Sequence, residues 1–420
     1  MAPRPATETA NAVGKPGFDA PPLRNTAASI KMALEQIQRS TARLDESLVV
    51  SGTIHLYVAF DWGEEVDLEA ARNLLAAEPR SLARRRRTPS SFAYSPPPLR
   101  FPLAPIELKL AEPEPPSSAS TVEAACRTLK ATSDATLFDF GGVSVAMHVP
   151  FSTTVVELSR LAACLADSDR LVEQATAPAR WLFDRLRPAI LQPAFSPLTE
   201  EYVVFELPPG QPLPPPRDLL EQHSAWVAGL TRLETEPLSD DEIAAALHSY
   251  ISYSPDDLLV PEWSAALLID RDCDETLQTI EFVNVQLLEF RFIDKLLDDR
   301  LADAHRLIRP LAQSWLPFWR THTQPLRALG ELRIHANSLF ERTGNALKLV
   351  GDQYLARVYR ILAARFHLDE WERSIQRSLE VVEGVYRVLS DQAATYRTEL
   401  LEIIVIVLIG FEIVMAFLRH

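Results

Sequence analysis

The stretch TIHLYVAF, Thr53 to Phe60, alternates along its length and is rich in β-branched and aromatic residues, which predicts a strand. It runs into Asp61-Trp62-Gly63. A helix is expected from Asp67 to Ala77, with the Asp67 carboxylate placed to accept from its first amides. Strand followed by helix sets an α+β class. Further on, TLFDF (Thr136 to Phe140) and VSVAMHV (Val143 to Val149) read as two strands joined by Gly141-Gly142, since glycine tolerates the positive φ of a tight turn. Helices are expected at Thr154 to Leu165 and Asp167 to Leu186, then a strand at EYVVFEL (Glu201 to Leu207). The run Pro208 to Arg217 is a stiff connector. Asp218 to Leu230 and Asp240 to Ser252, the latter capped by Ser239, fit helices, and Asp257 to Asp270 reads as strands broken by Pro261.

The chain has 420 residues, 47% of them hydrophobic, enough for two or three domains with a sizeable core. Residues 1–47 are too poor in large apolar side chains to fold, apart from a short helix from Asn25 to Ser47. The α+β domain is expected over residues 48–270. Within it, a solvated Pro-rich insertion covers residues 84–116 and includes the Arg84 to Arg87 run. A formal charge of −15 argues against nucleic acid as a partner, because phosphate backbones reward clustered Lys and Arg. Cys126, Cys164 and Cys273 are far apart and the nine His are scattered, so neither a disulfide framework nor a metal site is indicated, and no cofactor is expected. Asp139-Phe140-Gly141 matches a kinase metal-binding triplet without that motif's partners. No phosphate loop, GxSxG or HExxH is present, so no catalytic residue is assigned.

Residues 271–398 are expected to form a stalk of long antiparallel helices, from Asp274 to Ile308 and from Leu347 onward. In the second, Leu368, Trp371, Ile375, Leu379, Val382, Val385 and Leu389 recur at coiled-coil spacing. The first carries Asn284, Arg291 and Asp298 seven residues apart on one face, with Glu289, Asp294 and Lys295 as counter-charges. This is a polar network suited to fixing helix register. Residues 399–420 then read as a single membrane-spanning anchor. Fourteen of the nineteen residues from Leu400 to Leu418 are Leu, Ile, Val or Phe, and at about 1.5 Å per residue they reach roughly 28 Å. Gly410 lies within this run, and Glu402 and Glu412 interrupt it. Glu412 is placed to favour association in lipid. With no signal segment apparent, the bulk is expected in the cytoplasm.

The segments LFDFGGVSVAMHVPF, SYSPDDLLVPEWSAALLID, FVNVQLLEFRFIDKLLDDRL and RTELLEIIVIVLIGFEIV together resemble the family named "required for meiotic nuclear division". The resemblance implies a domain of undefined activity followed by a C-terminal membrane helix, in a bacterial-type member. The function expected from these readings is a non-enzymatic, membrane-tethered scaffold. It would contact lipid and unidentified protein partners and assemble as a homo-oligomer through its last helices. The competing expectation is a membrane-anchored enzyme or ligand-binding domain with a pocket between the sheet and the 281–301 helix. A pocket lined by Asp139, Asp257 and Arg291 would favour that reading, and a filled apolar junction would favour the scaffold.

Overall fold

The structure, a computed structural model, describes residues 44–75, 80–81, 96–111, 126–311, 334, 337, 340 and 353–418. The expected N-terminal disorder and helix lie almost wholly outside them, as does the Arg84 to Arg87 run. The strands are β1 (Val49–Asp61), β2 (Glu65–Val66), β3 (Arg80–Ser81), β4 (Leu99–Ala111), β5 (Cys126–Leu137), β6 (Gly142–Thr154), β7 (Ile190–Leu191), β8 (Thr199–Leu207), β9 (Leu258–Pro261) and β10 (Ala265–Ile269). The helices are α1 (Leu68–Leu74), α2 (Val155–Cys164), α3 (Ser168–Leu186), α4 (Pro216–Gln222), α5 (Ser224–Arg232), α6 (Asp240–Ala246), α7 (Asp274–Leu311), α8 (Gln353–Arg365) and α9 (Leu368–Leu418).

Eight strands form one sheet in the order β3-β4-β5-β6-β1-β8-β10-β9, antiparallel except for the β8 and β10 pair. Strand β1 sits centrally and is apolar on alternate positions of both faces. Ile54, Leu56, Val58 and Phe60 point into one core with α1 to α5, whereas Tyr57 and Ala59 point into a second with α7, α8 and α9. The sheet is therefore the middle of three layers. Sequence chemistry sets the helix starts. Asp67 accepts from the amides of Glu69 and Ala70, Thr154 from Glu157, and Ser239 from Glu242.

Several expectations are corrected in detail. The β5–β6 connection is longer than two glycines, because β5 ends at Leu137 and Phe138 N donates to Gly142 O across a four-residue turn. Gly141 is required there, since at φ 100° an added Cβ would lie 1.9 Å from the Gly63 carbonyl. Part of the expected Pro-rich insertion is strand β4. Leu99 and Phe101 are buried, then Leu108 and Leu110, with the register shifting between Leu103 and Ile106 where Pro105 lies. The helix expected as continuous from Leu347 is broken by His367, in left-handed conformation at φ 54°. Helices α7 to α9 belong to the same compact unit as the sheet. Leu368, Ile375, Leu379 and Val382 of the expected seam are buried against α7, and the side chains of Val385 and Leu389 lie outside the described residues.

The membrane anchor is also corrected. Among the described residues no helix is long and apolar enough to cross a membrane. Helix α9 does continue to Leu418, and Glu402, Gly410 and Glu412 interrupt its apolar run. Of the expected anchor residues, Glu402 and Gly410 are exposed, and the side chains of Leu400, Glu412 and Leu418 lie outside the described residues.

Candidate functional site

Helix α7 is apolar on the side that meets the sheet, where Ile280, Val283, Leu287, Leu288 and Ile293 pack with Tyr57, Tyr202 and Val204. Sheet and helix thus share one apolar cluster. At its margin a cleft of about 280 Å³ opens among the α2–α3 turn, the start of β8, the end of α5, the β9–β10 turn, α7 and the end of α8. Asn284 and Arg291 both line it. Buried Asn284 donates to the Glu200 carbonyl at 3.2 Å, and Arg291 forms an ion pair with the Glu200 carboxylate. On the opposite wall, Arg232 pairs with Glu242 and with Glu262 at 3.0 Å, and Arg365 holds the second Glu262 oxygen at 3.1 Å. The cleft guanidinium groups are thus matched to carboxylates of the same chain.

The other α7 residues singled out in the sequence lie elsewhere. Glu289 is fully buried, and burial pushes its carboxyl up to about 8. Its oxygen would lie 3.2 Å from a Cβ placed on Gly142, which puts it over the β6 backbone. Asp294 is half-buried and raised by burial and then by Asp298, while Asp298 itself is exposed. Asp139 and Asp257 do not line the cleft. The buried Asp257 carboxylate accepts from the Tyr253 amide at 3.0 Å and from Ser254, closing a turn.

A second polar assembly crosses the sheet face under the first turns of α7. Register places His55 of β1 directly opposite His148 of β6, with their Nδ1 atoms 2.8 Å apart. His55 Nε2 meets Glu206 of β8 at 2.7 Å, and His148 Nε2 meets Asp134 of β5 at 3.0 Å. Arg100 of β4 links Asp134 at 3.2 Å to Glu281 of α7 at 2.6 Å, and Cys273 Sγ donates to the other Glu206 oxygen at 2.9 Å. Burial holds His55 below the ordinary imidazole value, and the hydrogen bond from His55 depresses Glu206. Burial raises the Cys273 thiol, with Glu206 adding to it, so it is not an activated nucleophile. Around Arg100, Glu281 and Asp134 outweigh burial and raise its pKa. The sequence held one signal for this row: His55, His148 and Glu206 occupy inward positions of strands whose neighbours are apolar.

Fold and site together define an α+β protein with a buried polar relay and an internally neutralised cleft. Among the described residues, no group of three or more His, Cys, Asp or Glu could hold a metal ion. Residues 51–275, more than half of the chain, match the family described as "Uncharacterized protein MJ0711, N-terminal domain", and the chain belongs to that family. The uncharacterized protein MJ0711 of Methanocaldococcus jannaschii is 26% identical over 204 residues, which cover 48% of this chain and 62% of that protein. The chain thus spans less than two thirds of the curated relative it matches. No solved structure matches it.

These matches overturn the resemblance to the meiotic nuclear division family and the link to meiosis it carried. The first three segments behind that resemblance lie in core strands and helices, where their apolar patterns reflect burial, whereas the fourth belongs to α9, where the described apolar side chains are exposed.

Proposed function

We propose that the protein is a non-catalytic scaffold that assembles with further copies of itself through the end of α9. One observation carries the reading: Leu401, Ile404 to Ile409, Phe411, Ile413 and Met415 are all exposed, Ile406 at 67% and Val407 at 63%. Contiguous apolar surface of this kind marks an interaction site. Six consecutive exposed residues, each turned about 100° from the last, face every side of the helix. Cover must come from several directions, as in a bundle of α9 ends. The polar residues of α7 support the body in this reading, with Asn284 and Arg291 holding Glu200 and fixing the helix register on the sheet.

Sedimentation and crosslinking of the full chain test this. The wild type should run as an oligomer, and Ile406→Glu with Leu408→Glu should give monomer with an unchanged far-UV spectrum. A monomeric wild type, or a wild type that associates only with phospholipid vesicles, overturns the assembly.

The cleft supports a second reading as a small-ligand site, because Arg232, Arg291, Asn284 and the Trp263 ring converge on it. A ligand there would have to displace Glu200 or Glu262 from their arginines. A thermal-shift screen of the full chain with nucleotides and small carboxylates tests it, and a bound ligand at 100 times its Kd should contribute about 2.7 kcal/mol.

A further inference from the structure

We infer that His55 and His148 share a single proton and form an acid-released latch on the first turns of α7. The proton count follows from geometry. Each Nε2 faces a carboxylate, Glu206 for His55 and Asp134 for His148, and a carboxylate only accepts, so both Nε2 atoms carry hydrogen. The two Nδ1 atoms lie 2.8 Å apart, which is hydrogen-bond distance and accommodates one proton between them. The pair therefore holds three protons and one positive charge. The rings meet edge to face, with centroids 4.9 Å apart, as this contact requires.

The half-buried pair is bordered by named groups from every neighbouring element. Tyr57 stacks along β1, Glu206 approaches from β8, Asp134 from β5 and Arg100 from β4, while Glu281 and Cys273 close it from α7 and its approach. Two of these contacts tie the helix to the sheet. Cys273 reaches Glu206, which is held by His55, and Glu281 reaches Arg100, which is held through Asp134 by His148. A fourth proton from solvent leaves neither Nδ1 able to accept, and sets N–H against N–H between two cations. The rings must part, and Glu206 and Asp134 lose the alignment that places Cys273 and Arg100. The rest of α7 is unaffected, because Leu287 to Leu297 are held by apolar packing.

Amide hydrogen exchange on the full chain, corrected for intrinsic rate, tests the latch by comparing about pH 8 with about pH 5. Residues 274–285 should exchange at least about tenfold faster at the lower pH, while β1, β6 and residues 353–382 keep their protection. In His148→Gln the step should disappear. Equal protection of 274–285 at both pH values, loss spread uniformly over sheet and helices, or an undiminished step in His148→Gln overturns the proposal. A measurement on the wild type guards against a variant that fails to fold: ¹⁵N spectra of histidine-labelled protein at about pH 8 should show the pair carrying three N–H protons. A neutral pair with two overturns it.

Discussion

At the scale of single residues, Glu289 is a carboxyl held fully out of water. Its folded pKa, about 8, lies above the ordinary 4.5, and the cause is burial. The sign follows directly. A carboxyl raised in the folded state contributes stability fully below the unfolded value, and that contribution is lost as pH rises through the folded value. Chemical denaturation between pH 4.5 and 8 should therefore show stability falling with pH, by on the order of 4 kcal/mol if the whole shift is expressed. Glu289→Gln keeps the shape without the ionisation and should flatten the curve in this window. An unchanged slope would mean that another group governs it. Position 289 was legible as polar within an apolar helix. His55 and His148 were not, because their pairing depends on a register joining residues 93 apart, which no local pattern encodes.

At the scale of elements, β4 shows why a strand can be hidden. Prolines normally argue against a central strand, and Pro102 and Pro105 made this stretch read as loop. The strand tolerates them because β3 pairs with it only at Arg80 and Ser81, so most of its outer edge has no partner strand among the described residues. An open edge invites pairing with another chain. Here the α3 side chain Gln174 covers part of it, accepting from Lys109 N at 2.7 Å and donating to Lys109 O at 3.2 Å. Gln174→Ala should leave the fold intact, with less than about 1 kcal/mol lost for an exposed pair of hydrogen bonds. It should also raise thioflavin-positive aggregation on prolonged incubation. Stability loss without aggregation would show that the contact anchors α3 rather than guarding the edge. Strand β1 and the caps at Asp67 and Ser239 are readable because their signals are local. The break at His367 is not, since it coincides with Phe366 locked between the Tyr202 and Trp263 rings by tertiary packing.

At the scale of the whole molecule, the family match and the folded unit end at different places. The match stops at residue 275, at the very start of α7, yet the sheet face carrying Tyr57, Ala59, Ala146, Tyr202, Val204 and Leu268 is covered by α7, α8 and α9. A chain ending at Arg271 would expose that face to water, together with Asp134 and Glu206, the sheet carboxylates paired with Arg100 and His55. Each large side chain uncovered there costs about 1.5 to 3 kcal/mol, which several such losses multiply beyond the stability of an ordinary domain. Residues 44–271 should accordingly be recovered as aggregate, or as a state that binds hydrophobic dye and lacks a cooperative melt. The far end behaves in the opposite way. Among the described residues, every buried α9 side chain lies in the first half of the helix, none of them beyond Val382. A chain ending at Glu399 should keep the full-length melting temperature within about 2 °C, because it retains every described core side chain, and should lose self-association. If that truncation melts much lower while remaining monomeric, the second half of α9 supports the body rather than serving as a surface for other copies.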